Sequence, residues 1–150
     1  MFKKTATGLL IVLFAACSSS TTPEIKAQNA WSWPVEAMLT DQGTSHSTGV
    51  VYLTLVNDGG SADRLLGARS DVAEVVEFHE TRTQGDRMRM QMVKDGIDLL
   101  PHSQLHFKPG GLHMMLIGLR RSLNAGDKFK VVLKFAKSGM ITVESEVRQP

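Results

Sequence analysis

GVVYLTLVN, residues 49–57, runs directly into the turn tetrad Asn57-Asp58-Gly59-Gly60. β-Branched and aromatic side chains fill the run, which predicts a strand stopped by a tight turn. The pattern recurs outward from there, with strand candidates at 64–68, 72–79, 87–93, 104–107, 112–119, 128–135 and 140–147. Most are separated by glycine-bearing turns: Gln84-Gly85-Asp86, Lys94-Asp95-Gly96, Lys108-Pro109-Gly110-Gly111, Asn124-Ala125-Gly126-Asp127 and Lys137-Ser138-Gly139. No long window of this region carries a helical period. Short strands at regular spacing predict an all-β domain, an antiparallel β-sandwich with Greek-key connections. Its expected core is Leu53, Leu55, Leu65, Val75, Leu116, Val131, Leu133, Phe135 and Val143. Trp31 and Trp33 precede the first of these strands, and an edge strand or a cap over the sandwich end suits them. Pro34 argues against a central position.

The chain opens Met1-Phe2-Lys3-Lys4, passes through an apolar run at 9–16 and meets its single cysteine at Cys17. The run is far shorter than the roughly 20 residues a membrane-crossing helix needs, so it reads as an export signal. Phe14-Ala15-Ala16-Cys17 resembles the lipobox of bacterial lipoproteins, with Phe14 where leucine is usual. The resemblance implies acylation of Cys17. The polar run from Ser18 to Pro23 suits a flexible tether. The expected division is a signal peptide over 1–16, a tether over 17–30 and a folded domain over 31–150. The expected location is the periplasmic face of a membrane, held by the N-terminal lipid anchor. Ser18 rather than Asp after Cys17 points to outer-membrane sorting and leaves the choice of membrane open.

Removing 1–16 takes away Lys3 and Lys4 and balances 15 basic against 15 acidic residues. Without a basic excess or an aromatic-rich basic patch there is no electrostatic case for nucleic acid. A sole cysteine allows neither an internal disulfide nor a Cys-x-x-Cys pair, which excludes thiol redox chemistry and the Cys-ligated blue-copper site. His79-Glu80 begins like the zinc-protease motif His-Glu-x-x-His, but Thr83 stands where the second histidine belongs, and the segment reads as strand. No Gly-x-Ser-x-Gly elbow is present. The reading is of a monomeric protein that is not an enzyme.

Met88, Met90, Met92, Met114 and Met115 crowd one stretch together with His79, His102, His106 and His113. Thioether and neutral imidazole are the donors that favour monovalent copper, whereas calcium or magnesium sites gather carboxylates and carbonyls. Methionine is equally an ordinary core filler. Residues two apart share a face of a strand, so His113 and Met115 emerge together, with Leu112, Met114 and Leu116 on the other side. Met88, Met90 and Met92 share a face of their strand, and a hairpin is expected to put His79 near that strand's start. Composition and parity leave a metal site and a methionine core with surface histidines both open.

His79, ten residues, Met90, twenty-two residues and then His113-Met114-Met115 make a pattern that resembles the periplasmic copper chaperones of the PCuAC family. The family pattern has about twenty-one residues in the second gap. The likeness extends over about 49–147 and includes Ala62-Asp63-Arg64-Leu65, Val76-Glu77-Phe78-His79-Glu80, Met88-Arg89-Met90 and Lys108-Pro109-Gly110-Gly111-Leu112-His113. Thr81 and Thr83 depart from it where methionines commonly follow the first histidine, and residues 31–47 match poorly. The resemblance implies a cupredoxin-like β-sandwich in which His79, Met90, His113 and Met115 ligate one Cu(I). Met88 and Met114 stand as auxiliary candidates, with Met114 expected to face the core. His46, His102 and His106 are expected on the surface. The resemblance further implies delivery of copper to an acceptor, the CuA centre in subunit II of cytochrome c oxidase. The alternatives are a copper-storage or copper-tolerance lipoprotein without a dedicated acceptor, and an envelope interaction sandwich that binds no metal.

Overall fold

The computed structural model describes residues 21–41 and 46–149. Segment 1–16 and Cys17, the seat of the expected signal and anchor, lie outside the described residues. Among the described residues there are ten strands and no helix: β1 (Ile25–Ser32), β2 (Thr48–Asn57), β3 (Asp63–Ser70), β4 (Ala73–Gln84), β5 (Arg87–Met92), β6 (Ile97–Leu99), β7 (Ser103–Phe107), β8 (Leu112–Leu119), β9 (Lys128–Phe135) and β10 (Met140–Val147).

Seven of them follow one another around a closed mixed barrel, β4-β8-β2-β1-β10-β9-β3, and β3 returns to β4. The all-β, cupredoxin-like expectation holds, with two differences. One neighbouring pair, β1 with β10, is parallel. The two sheets are also joined, because Ala68 of β3 bridges Val76 of β4. Closure leaves fewer unpaired strand edges than an open sandwich would.

β1 begins inside the stretch expected to be tether. It is no edge strand either, since Trp31 pairs with Tyr52 of β2 on one side and Glu146 of β10 on the other. The cause of the misreading is a β-bulge: Gln28 pairs with Thr54 and Trp31 with Tyr52, so Asn29 and Ala30 together oppose Leu53. Asn29 takes the left-handed conformation, φ 53°, which asparagine tolerates better than most residues. The bulge shifts the buried set from Ile25 and Ala27 to Ala30 and Ser32. A period of two is lost in the middle of the strand. Trp31 then packs edge-on against Trp33 and tilted against Tyr52, with centroids 4.8 and 4.7 Å away.

The expected core residues Leu53, Leu55, Leu65, Leu116, Val131, Leu133 and Phe135 are buried, and Val143 is packed against them. Val75 is the exception, at 50% exposure. Val76 and Phe78 are the side chains β4 turns toward the core, so Val75, Glu77 and His79 face outward.

Two buried polar side chains pin the barrel's loops. The Asn57 amide oxygen accepts from the backbone N–H of Glu24 and Gly59 at 3.1 and 3.0 Å, and its NH2 donates to the carbonyls of Ser61, Leu99 and Leu100. Asp63 accepts from the backbone N–H of Arg64, Lys137 and Ser138 and from the Ser138 hydroxyl at 2.6 Å. Burial by itself would raise the Asp63 carboxyl; the Ser138 hydroxyl and the three backbone donors outweigh it and hold the group below the usual carboxylate range.

Candidate metal centre

β4 has two halves with different neighbours. Its residues 73–80 pair with β8, whereas residues 79–84 pair on the other side with β5. The β4–β5 hairpin turns through Gly85-Asp86, between Gln84 and Arg87, and Gly85 adopts φ +61°. That is the two-residue loop that suits strand twist, with glycine at its first position.

Counting from this turn sets the register. His79 opposes Met92, Thr81 opposes Met90 and Thr83 opposes Met88. His79 is therefore opposite the end of β5 and not its start. On the other flank of β4, His79 opposes His113 and Glu77 opposes Met115. Directly opposed residues share a face. His113, Met115, Glu77, His79, Met90 and Met92 accordingly occupy one outward patch.

Within it, the two imidazoles lie with ring centroids 6.0 Å apart and planes inclined at 30°. His113 Nδ1 is 2.8 Å from the carbonyl oxygen of Gly111. A carbonyl can only accept, so Nδ1 carries the proton in the neutral ring, and Nε2 presents a lone pair. That Nε2 lies 3.1 Å from Met90 Sδ. Two lone-pair donors facing each other have no proton to share. Metal–nitrogen and metal–sulfur bonds of about 2.0 and 2.3 Å would span such a pair, so the contact fits two ligands of one ion. His113 is only 7% exposed even though it points away from the barrel core.

His79 is tied differently. Its Nε2 is 2.9 Å from Glu77 Oε2, an acceptor, which leaves Nδ1 as the free lone pair. Met115 sits two residues along β8 from His113, half-buried and opposite Glu77. The patch therefore unites His79, Met90 and His113 closely, with Met115 on the same face in the next row.

The auxiliary candidates separate. Met114 is 0% exposed and points into the core, as parity requires, and cannot share an ion with its neighbour. Met88 lies further out along the hairpin, opposite Thr83 and 67% exposed. His46 and His102 are exposed, and His106 on β7 contacts the Thr54 hydroxyl through Nδ1 at 3.1 Å. Two members of the patch are not nominated for the site by the sequence. Met92 follows from the loop length, since a two-residue turn at Gly85-Asp86 puts 79 opposite 92. Glu77 follows from sharing the outward face of β4 with His79. Among the described residues no group of three or more His, Cys, Asp or Glu side chains could hold a metal. The donor-rich cluster is the mixed nitrogen and thioether one.

A family profile described as "Putative lipoprotein LpqE-like" matches residues 25–147. Among curated proteins, the chain is 37% identical over 92 residues to "Putative lipoprotein Lxx21020" of Leifsonia xyli subsp. xyli, covering 61% of this chain and 55% of that protein. It is 30% identical over 89 residues to "Uncharacterized protein RP573" of Rickettsia prowazekii, covering 59% of this chain and 49% of the relative. The matched stretch thus spans about half the length of these relatives. Among solved structures, the copper-bound PCuAC domain from PmoF2 is similar with a TM-score of 0.62 and 27% identity, over 84% of this chain and 93% of that one. The solution structure of CuI-DR1885 from Deinococcus radiodurans shares the fold at a TM-score of 0.57 and 23% identity, over 90% and 83% of the two chains. With the profile spanning β1 to β10 and the barrel matching those domains, the chain belongs to the LpqE-like family and is built on the PCuAC fold.

Proposed function

We propose that this protein is an envelope copper carrier that binds one Cu(I) through His79, Met90, His113 and Met115 and passes it to an acceptor protein. The observation that carries the reading is the 3.1 Å approach of the His113 Nε2 lone pair to Met90 Sδ. The neighbouring histidine is held by its other nitrogen and has a second lone pair to offer. The copper-bound state of the PmoF2 domain, similar over most of both chains, supports it.

Cu(I) has a filled d shell and accepts soft, neutral donors without imposing a strict geometry. Such an ion exchanges ligands readily. The ligands here are graded by exposure: Met90 is 54% exposed on the edge strand and His113 is 7% exposed against the barrel wall. An incoming donor would displace Met90 first and His113 last, so the ion stays partly held while it changes hands. No substrate bond need break. The proposed acceptor is a copper centre such as CuA in cytochrome c oxidase. The proposed anchor is the acylated Cys17, which keeps the domain at the membrane surface. Storage without an acceptor is the second reading, favoured by Ser18 following Cys17.

The test is competition with a Cu(I) chelator. The wild-type domain should take one equivalent, and Met90→Leu with Met115→Leu should lose it while keeping the same far-UV spectrum and unfolding midpoint. Unchanged affinity in the double variant rejects the ligand assignment. Mixing the loaded domain with an apo CuA domain then divides delivery from storage, since only a carrier transfers its ion.

A further inference from the structure

We propose that Glu77 is a positioning residue of the metal centre, holding His79 with Nδ1 toward the ion and supplying the negative charge that balances it. This rests on the reading of His79 as a Cu(I) ligand.

Four ligands drawn from histidine and methionine are all neutral. They leave the full positive charge of Cu(I) beside two imidazoles that are largely withdrawn from water: the His79 side chain is 15% exposed and His113 7%. A lone charge in such a place is costly unless an opposite charge lies close by. Glu77 is in the required position. It stands two residues before His79 on β4, with Phe78 between them turned into the core at 5% exposure. Both side chains must therefore face outward together. The carboxylate lies across from Met115 in the β4–β8 register and reaches the His79 ring at 2.9 Å.

The other acid on this part of β4 is engaged elsewhere. Glu80 alternates onto the opposite face and pairs with Arg82 at 2.7 Å. Glu77 also lines a groove of about 230 Å³ beside the patch, together with Val76, Met92 and Lys94. Lys94 is the one cationic side chain lining that groove, but the hydrogen bond of Glu77 goes to the ring.

The two histidines thus solve one problem in two ways. His113 is oriented by an uncharged acceptor, the Gly111 carbonyl at 2.8 Å. His79 is oriented by a carboxylate, which fixes the ring and also pushes electron density toward the metal-facing nitrogen. Met90, the exposed ligand, is the one that leaves. His79 with Glu77 behind it would keep hold of the ion during that step.

Charge and orientation separate in two variants. Glu77→Gln keeps an oxygen that accepts the Nε2 proton but removes the charge; Glu77→Leu removes both. The measurements are Cu(I) affinity by chelator competition at one fixed pH, the His79 tautomer by long-range proton–nitrogen NMR of the apo domain, and apo thermal unfolding. Glu77→Gln should bind Cu(I) about 10-fold more weakly, with His79 still protonated at Nε2 and the unfolding midpoint unchanged. Glu77→Leu should lose about 100-fold, the upper end for outer-shell partners, with both His79 tautomers populated. Wild-type affinity in both variants, or a loss that merely follows apo unfolding, overturns the proposal. A wild-type domain that binds no Cu(I) would instead remove the copper reading, and this role with it.

Discussion

Met114 and Met115 adjoin in sequence and lie on opposite sides of β8, which makes their substitution a sharp test of where the core stops and the site begins. Met114 is 0% exposed, and its strand is paired on both sides, with Phe78 of β4 and Val51 of β2 as its cross-strand neighbours. Removing a buried Met side chain to Ala costs about 2–5 kcal/mol, depending on how far the surroundings collapse. A backbone held from both flanks collapses little, so Met114→Ala should lie in the upper half of that range, about 3.5–5 kcal/mol. For a domain of this size each kcal/mol lowers the midpoint by roughly 3–4 °C, which makes the expected drop about 10–20 °C. Cu(I) affinity of the folded fraction should match wild type. Met115→Leu is close to a volume-conserving change at a half-buried position and should cost less than about 1.5 kcal/mol, yet weaken Cu(I) binding by at least an order of magnitude. Thermal unfolding by circular dichroism and chelator competition below the transition measure both quantities. A Met114→Ala midpoint within about 2 °C of wild type would refute the packing argument. Loss of Cu(I) binding by Met114→Ala while still folded would refute the parity argument.

The loop pins give two further expectations. Asp63 is held below the ordinary carboxylate range, so the stability it contributes is complete above about pH 4 and is lost as pH falls through its lower folded value. Asp63→Asn should flatten the decline in urea-unfolding free energy below pH 4, and a decline as steep as that of wild type would exclude Asp63 as its source. Asn57→Ala strands the N–H groups of Glu24 and Gly59, for about 2–4 kcal/mol in urea unfolding. Hydrogen exchange at those two amides should speed up, and wild-type protection there would show that the pin is dispensable.

β9 and β10 could be read from sequence to the residue, because each keeps an unbroken alternation beside turns that announce themselves; the bounds of β8 are equally legible, although Gly118 at φ 66° breaks its alternation and Leu119 is buried. β1 could not. Its alternation is interrupted at Asn29 and Ala30, so its two halves present opposite parities and neither half is long enough to read alone. β6 is three residues long and carries too few positions for any period. The barrel's closure rests on the single bridge between Ala68 and Val76, a contact between strands that local pattern does not encode. At the site, parity correctly sorted His113 and Met115 from Met114, since it needs only one strand. The partners of His79 depend on two registers at once, and the one set by the Gly85-Asp86 loop was misjudged by the length of β5.

The division of β4 between barrel wall and overhanging hairpin means that the patch is built across two levels of stability. His113, Met115 and the first half of β4 belong to the closed barrel and can be lost only with it. Met90 and Met92 ride on β5, an edge strand whose six residues are all exposed and whose backbone is paired along β4 alone. Local opening of the hairpin costs far less than global unfolding. A fluctuation that leaves the barrel intact can therefore take the thioether of Met90 away from His113, and the centre can open at its rim without the protein ceasing to be folded.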